Sequence, residues 1–225
     1  MFPRHNLVCL TASGWAQACK QVPAPHRPHL QRWQTEDLPA VVRRADDDAD
    51  LDAVCLGIAL PPDAQGDKLR IAFRVTATDI REQNPPLSIA AVITAAPTAW
   101  QIPLQYLKDE AAALQLDIRV YGSLSWQALT QDIYLRDSSD IDLLFLPRDR
   151  RQLEQGVALL TRHAEALPLD GEISFGESGA VAWKEWRQAA LLPGNRVLLK
   201  RYRGVQLQRI DHLLESWEGR SCTVI

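Results

Sequence analysis

The sequence predicts an α+β fold: a mixed sheet carrying helices, preceded by a smaller β-rich segment. Three observations predict it. Residues 1–83 hold a series of short β-like runs. Asn84-Pro85-Pro86 interrupts both helix and ladder and is the best candidate linker. Beyond it, strand-like and helix-like periods alternate along the chain. The expected division is therefore 1–83 and 84–225. With 225 residues, 46% hydrophobic and 24% charged, the chain can bury a sizeable core, which excludes wholesale disorder.

In the first segment, 6–10 and 38–43 read as strands, the latter through β-branched Val41 and Val42. Residues 54–60 form another, ended by Pro61-Pro62. Residues 69–76 alternate Leu69, Ile71, Phe73 and Val75 against Arg70, Ala72 and Arg74, the period of a half-buried strand. Three prolines make 21–30 a loop, and His26-x-x-His29 within it lacks the further ligands of a metal site. The five aspartates of 45–52 read as a solvated acidic turn. They lack the glycine and final glutamate that a calcium loop needs.

In the second segment, Leu104, Leu107, Ala111 and Leu114 recur at helical steps over 100–115. Residues 116–121 alternate as a strand, and 123–130 as a short helix after Gly122. Residues 140–146 form a strand stopped by Pro147, and 149–163 a helix with Asp149 at its N-cap. Strand 169–176, helix 181–190, extended 196–206 and helix 207–217 complete the reading. This alternation belongs to an α/β or α+β domain around a mixed sheet.

Charge and composition exclude several classes. Lys+Arg is 25 and Asp+Glu is 28, a net charge of -3, where a dedicated nucleic-acid binder carries a positive surplus. The longest nearly uncharged stretch, 84–107, is broken by four prolines, so no membrane helix is expected. The opening MFPRHNLVCLT has no apolar run of a signal peptide. Cys9, Cys19, Cys55 and Cys222 form no CxxC pair. Reduced thiols in a cytoplasmic protein, mostly small core residues, are expected.

Three pieces carry chemistry. In YGSLSWQ (121–127), a Gly-Ser pair sits where a strand turns into a helix. Gly122 permits close backbone approach, Ser123 offers a hydroxyl and the helix start offers free N–H groups, together a phosphate site. In SDIDLLFL (139–146), Asp140 and Asp142 are two apart on a strand and so share a face. Their repulsion is relieved by a divalent cation, Mg²⁺ by the chemistry of the donors. In LDGEISF (169–175), Asp170 and Glu172 share the face opposite Leu169, Gly171, Ile173 and Phe175. Either could be a third acid at the same site. Taken singly, each piece has a plainer reading: a turn, two solvated strand residues, and an Asp-Gly hairpin. In this order, they describe phosphoryl or nucleotidyl transfer by the two-metal route. Trp126 reads as core packing beneath the loop rather than as a base-stacking platform.

Gly122-Ser123 followed by Asp140-Ile141-Asp142 resembles the signature of the nucleotidyltransferase superfamily with the polymerase-β-like fold. More closely, YGSLSWQALT (121–130), YLRDSSDIDLL (134–144) and LDGEI (169–173) resemble the malonate decarboxylase holo-[acyl-carrier-protein] synthases, or phosphoribosyl-dephospho-CoA transferases. RHNLVCL (4–10), PAVVRRAD (39–46), LGIALPP (56–62), RIAFRV (70–75) and VAWKEW (181–186) agree with that family, so the resemblance spans nearly the whole chain. One feature departs from the superfamily pattern. The sixteen residues between Ser123 and Asp140, including TQDIYLRDS, make the gap longer than usual.

The resemblance implies a polymerase-β-like catalytic domain and a donor, 2'-(5''-triphosphoribosyl)-3'-dephospho-CoA. It implies an acceptor serine on the apo acyl-carrier subunit of malonate decarboxylase, with pyrophosphate released. Asp140 and Asp142 would hold Mg²⁺, Gly122 and Ser123 the triphosphate, and Asp170 or Glu172 would complete the site. In the run 197–209, Lys200, Arg201, Arg203 and Arg209 occur with no acid. They read either as a patch for an anionic triphosphate and carrier, with Lys200, Arg201 and Arg203 as substrate-binding residues, or as a cationic edge strand. The competing readings are a nucleotidyltransferase acting on a small molecule or RNA end, and a non-catalytic module that binds the carrier.

Overall fold

The computed structural model describes residues 2–192 and 194–221. The chain is α+β and forms two compact units. One contains the chain up to Pro86, together with Leu129–Tyr134 and Tyr202–Gly204 from further along. The other contains Leu87–Ala128, Leu135–Arg201 and the chain from Val205.

The first unit is built on β1 (Leu7–Leu10), α1 (Ala12–Gln21), α2 (Arg27–Thr35), β2 (Ala40–Val42), β3 (Ala53–Ala59), β4 (Arg70–Thr76) and β5 (Ile80–Asn84). Its strands form one antiparallel sheet in the order β4-β3-β2-β1-β5. The alternation expected of 69–76 is present from Arg70 on: Ile71, Phe73 and Val75 are buried, and Trp15 of α1 packs on Phe73 with ring centroids 5.9 Å apart, whereas Leu69 precedes the strand and is exposed. The loop expected over 21–30 is a correction. Ala24–His26 is a 3-10 turn and α2 starts at Arg27, because Pro28 occupies its first turn, where no N–H is needed. Leu30 and Trp33, fully buried, supply the packing that the prolines obscured.

The acidic run is not simply solvated either. Asp46 accepts from Arg43 at 2.5 and 2.6 Å and from Arg74 Nε at 2.8 Å, while Asp48 also pairs with Arg74. The bond from Arg43, then that from Arg74, holds the Asp46 carboxyl well below the usual carboxylate range. These ties pin the turn to β4. Cys55 is buried, Cys9 and Cys19 are half-buried, and Cys222 lies outside the described residues.

The long gap between Ser123 and Asp140 has a structural use. It lends Leu129–Tyr134 to the first unit. There Tyr134 is fully buried, its hydroxyl donates to Ala59 O at 2.8 Å, and Asp132 accepts from Arg32 at 2.6 Å. Burial pushes the Tyr134 phenol up to about 12.

The second unit contains β6 (Leu87–Ser88), α3 (Ile89–Val92), α4 (Thr98–Ala113), β7 (Asp117–Tyr121), α5 (Gly122–Thr130, whose last two residues belong to the first unit) and β8 (Ile141–Leu146). It continues with α6 (Arg150–His163), β9 (Leu169–Ser174), β10 (Ala180–Ala182), α7 (Trp183–Ala189), β11 (Arg196–Arg201), β12 (Gly204–Arg209) and α8 (Ile210–Ser221). Asp149 caps α6 by accepting from Gln152 N at 2.8 Å, as the sequence predicts. The sheet order is β12-β11-β10-β9-β8-β7-β6, with β8 and β9 parallel. Two expected elements differ. Residues 180–182 form a strand before α7, and 196–209 folds back at Tyr202-Arg203 into two strands, which delays the last helix to Ile210.

One face of this sheet is apolar. Ile118, Val120, Ile141, Leu143, Phe145, Leu169, Ile173, Val181, Val197 and Leu199 join a core with Leu104, Leu107, Leu159, Leu160 and Trp186 from the helices. The opposite face therefore receives the alternate residues, including every acid of the predicted site that lies on a strand.

Candidate active site

The site begins where β7 becomes α5. Gly122 has φ +70°, a conformation that L side chains rarely adopt. A Cβ at this position would lie 1.9 Å from Asp142 Oδ2. Backbone and carboxylate are thus pressed together with room for no side chain. The antiparallel register puts Tyr121 directly opposite Asp142. Hence Gly122 and Asp142, twenty residues apart in sequence, are one feature in space. Ser123 is half-buried in the first turn of α5, and Trp126 is buried, as core packing requires. Gln127 braces the same helix: its Nε2 donates to Ala95 O at 2.6 Å and its Oε1 accepts from Leu135 N at 3.1 Å.

Across the parallel pair, Asp142 is opposite Asp170, and Leu144 is opposite Glu172. Tyr121, Asp142 and Asp170 therefore form one row over β7, β8 and β9. Asp140 is exposed and immediately precedes the first residue of β8. Gly171 is no hairpin turn. It lies within β9 at φ +123°, and a Cβ there would meet Leu143 O at 1.9 Å. Glycine at this point allows β9 to lie against β8 closely enough to align the acids.

The two candidate third acids are placed differently. The Asp170 side chain is 45% exposed, with Lys184 Nζ, on the second residue of α7, at 3.5 Å. Glu172 is 5% exposed and accepts from Lys200 Nζ at 2.8 Å. Lys200 sits on β11, two strands away, and reaches across β10. Ala182 is opposite Glu172 and Ala180 is opposite Lys200, and these two methyl groups leave the path open. Glu172 is thus a buried charge already neutralised, whereas Asp170 faces outward beside Asp142.

The basic run divides similarly. Lys200 is on the acid face with Glu172. Arg201, one residue on, has the opposite parity, and its Cγ lies 3.2 Å from the position of a Cβ on Gly179. Arg203 donates to Ala49 O at 3.2 Å and Asp50 O at 3.0 Å within the first unit. The three cations are not brought together at the acid row. Lys184, which the sequence reading did not single out, is the cation beside Asp170; its signal was its place in VAWKEW.

Among the described residues, no three His, Cys, Asp or Glu side chains group to cage a metal ion. The donors on hand still suit Mg²⁺, which is held by one or two carboxylates completed by substrate phosphates. The Asp142 carboxylate lies directly against the Gly122 backbone at the start of α5. No helix among the described residues is long and apolar enough to cross a membrane.

Two family models match the chain: the N-terminal domain of phosphoribosyl-dephospho-CoA transferase MdcG over residues 3–86, and its C-terminal domain over residues 87–211. A phosphoribosyl-dephospho-CoA transferase of Xanthomonas campestris pv. campestris (strain 8004) is 38% identical over 209 residues, covering 92% of this chain and 94% of the relative. One of Bradyrhizobium diazoefficiens is 34% identical over 185 residues, covering 81% and 80%. No solved structure matches the chain.

Proposed function

Because the chain belongs to the phosphoribosyl-dephospho-CoA transferase family, we propose that it moves this group from 2'-(5''-triphosphoribosyl)-3'-dephospho-CoA to a serine of the apo acyl-carrier subunit of malonate decarboxylase. The serine Oγ–P bond forms, the bond from that phosphorus to the pyrophosphate oxygen breaks, and pyrophosphate leaves. This is nucleotidyl-transfer chemistry with a protein hydroxyl as nucleophile, taking place in the cytoplasm. The observation that carries the reading is the contact of Gly122 with Asp142, in the row that continues to Asp170.

On this reading Asp140 and Asp142 hold Mg²⁺, which when bound supplies the charge that stabilises the pentavalent phosphorus. The backbone at Gly122 and the Ser123 hydroxyl take the donor triphosphate. Asp170, open to solvent and aligned with Asp142, is the third acid and accepts the serine proton. Lys184 keeps its carboxylate in place. Glu172, locked to Lys200, is a structural ion pair of the same face.

The test is the intact mass of the apo carrier subunit after incubation with the enzyme, Mg²⁺ and the triphosphoribosyl donor. The expected gain is the phosphoribosyl-dephospho-CoA group, with pyrophosphate in equal amount. No gain in mass with a competent donor overturns the reading.

A further inference from the structure

The two proposed metal ligands are held in different ways. Asp142 lies within β8, fixed by its register with Tyr121 and Asp170 and by its carboxylate against Gly122. Asp140 precedes the first residue of β8. It is exposed, and its carboxylate has no hydrogen bond or ion pair among the described residues. Its place is therefore set through the backbone on either side of it. On the strand side, Ile141 N donates to Pro168 O at 2.9 Å. On the other side, the chain arrives from a detour that leaves this unit at Leu129 and returns at Leu135.

Two contacts end that detour. Gln127 Oε1 accepts from Leu135 N at 3.1 Å, which ties the point of return to α5 just before the point of departure. Gln127 Nε2 donates to Ala95 O at 2.6 Å, so both ends of the amide are used and its orientation is fixed. Leu135 packs partly on the core, and the bond to Gln127 sets the direction in which its backbone leaves. One residue on, Arg136 N donates to Ser139 Oγ and Ser139 N donates to Arg136 O, each at 2.9 Å. This reciprocal pair closes the turn 136–139. Residues 136–138 are exposed, so hydrogen bonds rather than burial shape the turn. The next residue is Asp140.

From this we infer that Gln127 and Ser139 are positioning residues for Asp140. Gln127 clamps the returning chain to the helix that begins at Gly122 and Ser123, and Ser139 shapes the turn that delivers the carboxylate. The inference rests on the proposed role of Asp140 as a Mg²⁺ ligand. A ligand whose side chain has no support of its own depends on its backbone, and small displacements at a metal site are costly. Glutamine suits the clamp because one amide presents an acceptor to Leu135 and a donor to Ala95.

The experiment compares wild type with Gln127→Leu, Ser139→Ala and, as the control, Asp140→Asn, all in the full chain. Affinity for the triphosphoribosyl donor is measured by calorimetry with Mg²⁺ and with a chelator, beside melting temperature. Wild type is expected to bind the donor more tightly with Mg²⁺, and Asp140→Asn to lose most of that gain. Gln127→Leu should weaken donor binding in Mg²⁺ roughly tenfold and Ser139→Ala roughly threefold, each with affinity in chelator within about twofold of wild type. A role in folding alone would weaken binding equally with and without the metal, and that result overturns the inference. So does a wild-type Mg²⁺ gain kept in both variants. Should Gln127→Leu fail to fold, Ser139→Ala, a change in an exposed turn, decides by the same two measurements. A wild type whose donor affinity ignores Mg²⁺, or an Asp140→Asn variant that keeps the gain, overturns the metal role of Asp140 and this inference with it.

Discussion

Two acidic clusters in this molecule invite comparison. In the first unit, five aspartates crowd into eight residues, 45–52. In the second, Asp140, Asp142 and Asp170 are scattered over thirty-one. The dense cluster is structural: its first member is consumed by Arg43 and Arg74. Two of the scattered acids, Asp142 and Asp170, are brought opposite one another because β8 and β9 pair in parallel. Acid density along a chain thus reports little about chemistry. What marks a site is register that sets carboxylates side by side on one sheet face.

The comparison breaks most sharply on substitution to amides. Asp142→Asn or Asp140→Asn should reduce transfer more than tenfold and leave the melting temperature unchanged or raised, since repulsion is relieved. Asp46→Asn should do the reverse, costing about 1–3 kcal/mol of stability in a denaturant titration with kcat unaltered. If Asp142→Asn keeps more than about a tenth of the wild-type rate, the two clusters do not differ in kind.

Gly122→Ala is expected to rank next. The added Cβ collides with Asp142 and strains a left-handed backbone, so both donor affinity and turnover fall. Ser123→Ala loses one hydroxyl contact, about 1–3 kcal/mol of donor binding by calorimetry. Unchanged donor affinity in both variants removes the turn from the site.

The pair Asp170 and Glu172 sharpens the same contrast within one strand. Asp170→Asn should depress kcat at constant melting temperature and constant donor affinity. Glu172→Gln strands the Lys200 ammonium on a buried partner, and should lower the melting temperature with a smaller loss of kcat. The opposite pattern would make Glu172 the third acid.

A further effect, confined to alkaline conditions, concerns pH. Tyr134 has its pKa raised by burial, to about 12. Its contribution is fully present below the unfolded value near 10 and is lost as pH rises through 12, about 2–3 kcal/mol in all. Denaturant titrations from pH 9 to 12 should show this loss in wild type and a shallower one in Tyr134→Phe. Equal slopes would mean that the segment lent to the first unit is not held by its phenol.

The sequence by itself determined the strands with clear alternation, the N-cap at Asp149, the α+β class and, through YGSLSWQALT with SDIDLL, the family. These are local patterns, readable within a window of ten to twenty residues. It misread 21–30, where burial of Leu30 and Trp33 overrode the prolines, and it merged β11 with the start of β12, since nothing local marks Tyr202-Arg203 as a turn before Gly204. Only tertiary structure distinguishes the surroundings of Asp170 and Glu172. Both alternate correctly on one strand face, and no sequence period distinguishes them. The difference is made by a lysine from β11, twenty-eight residues beyond Glu172, which passes over two alanines to pair with Glu172 and not with Asp170. Such a contact depends on strand order, which a short sequence window does not contain.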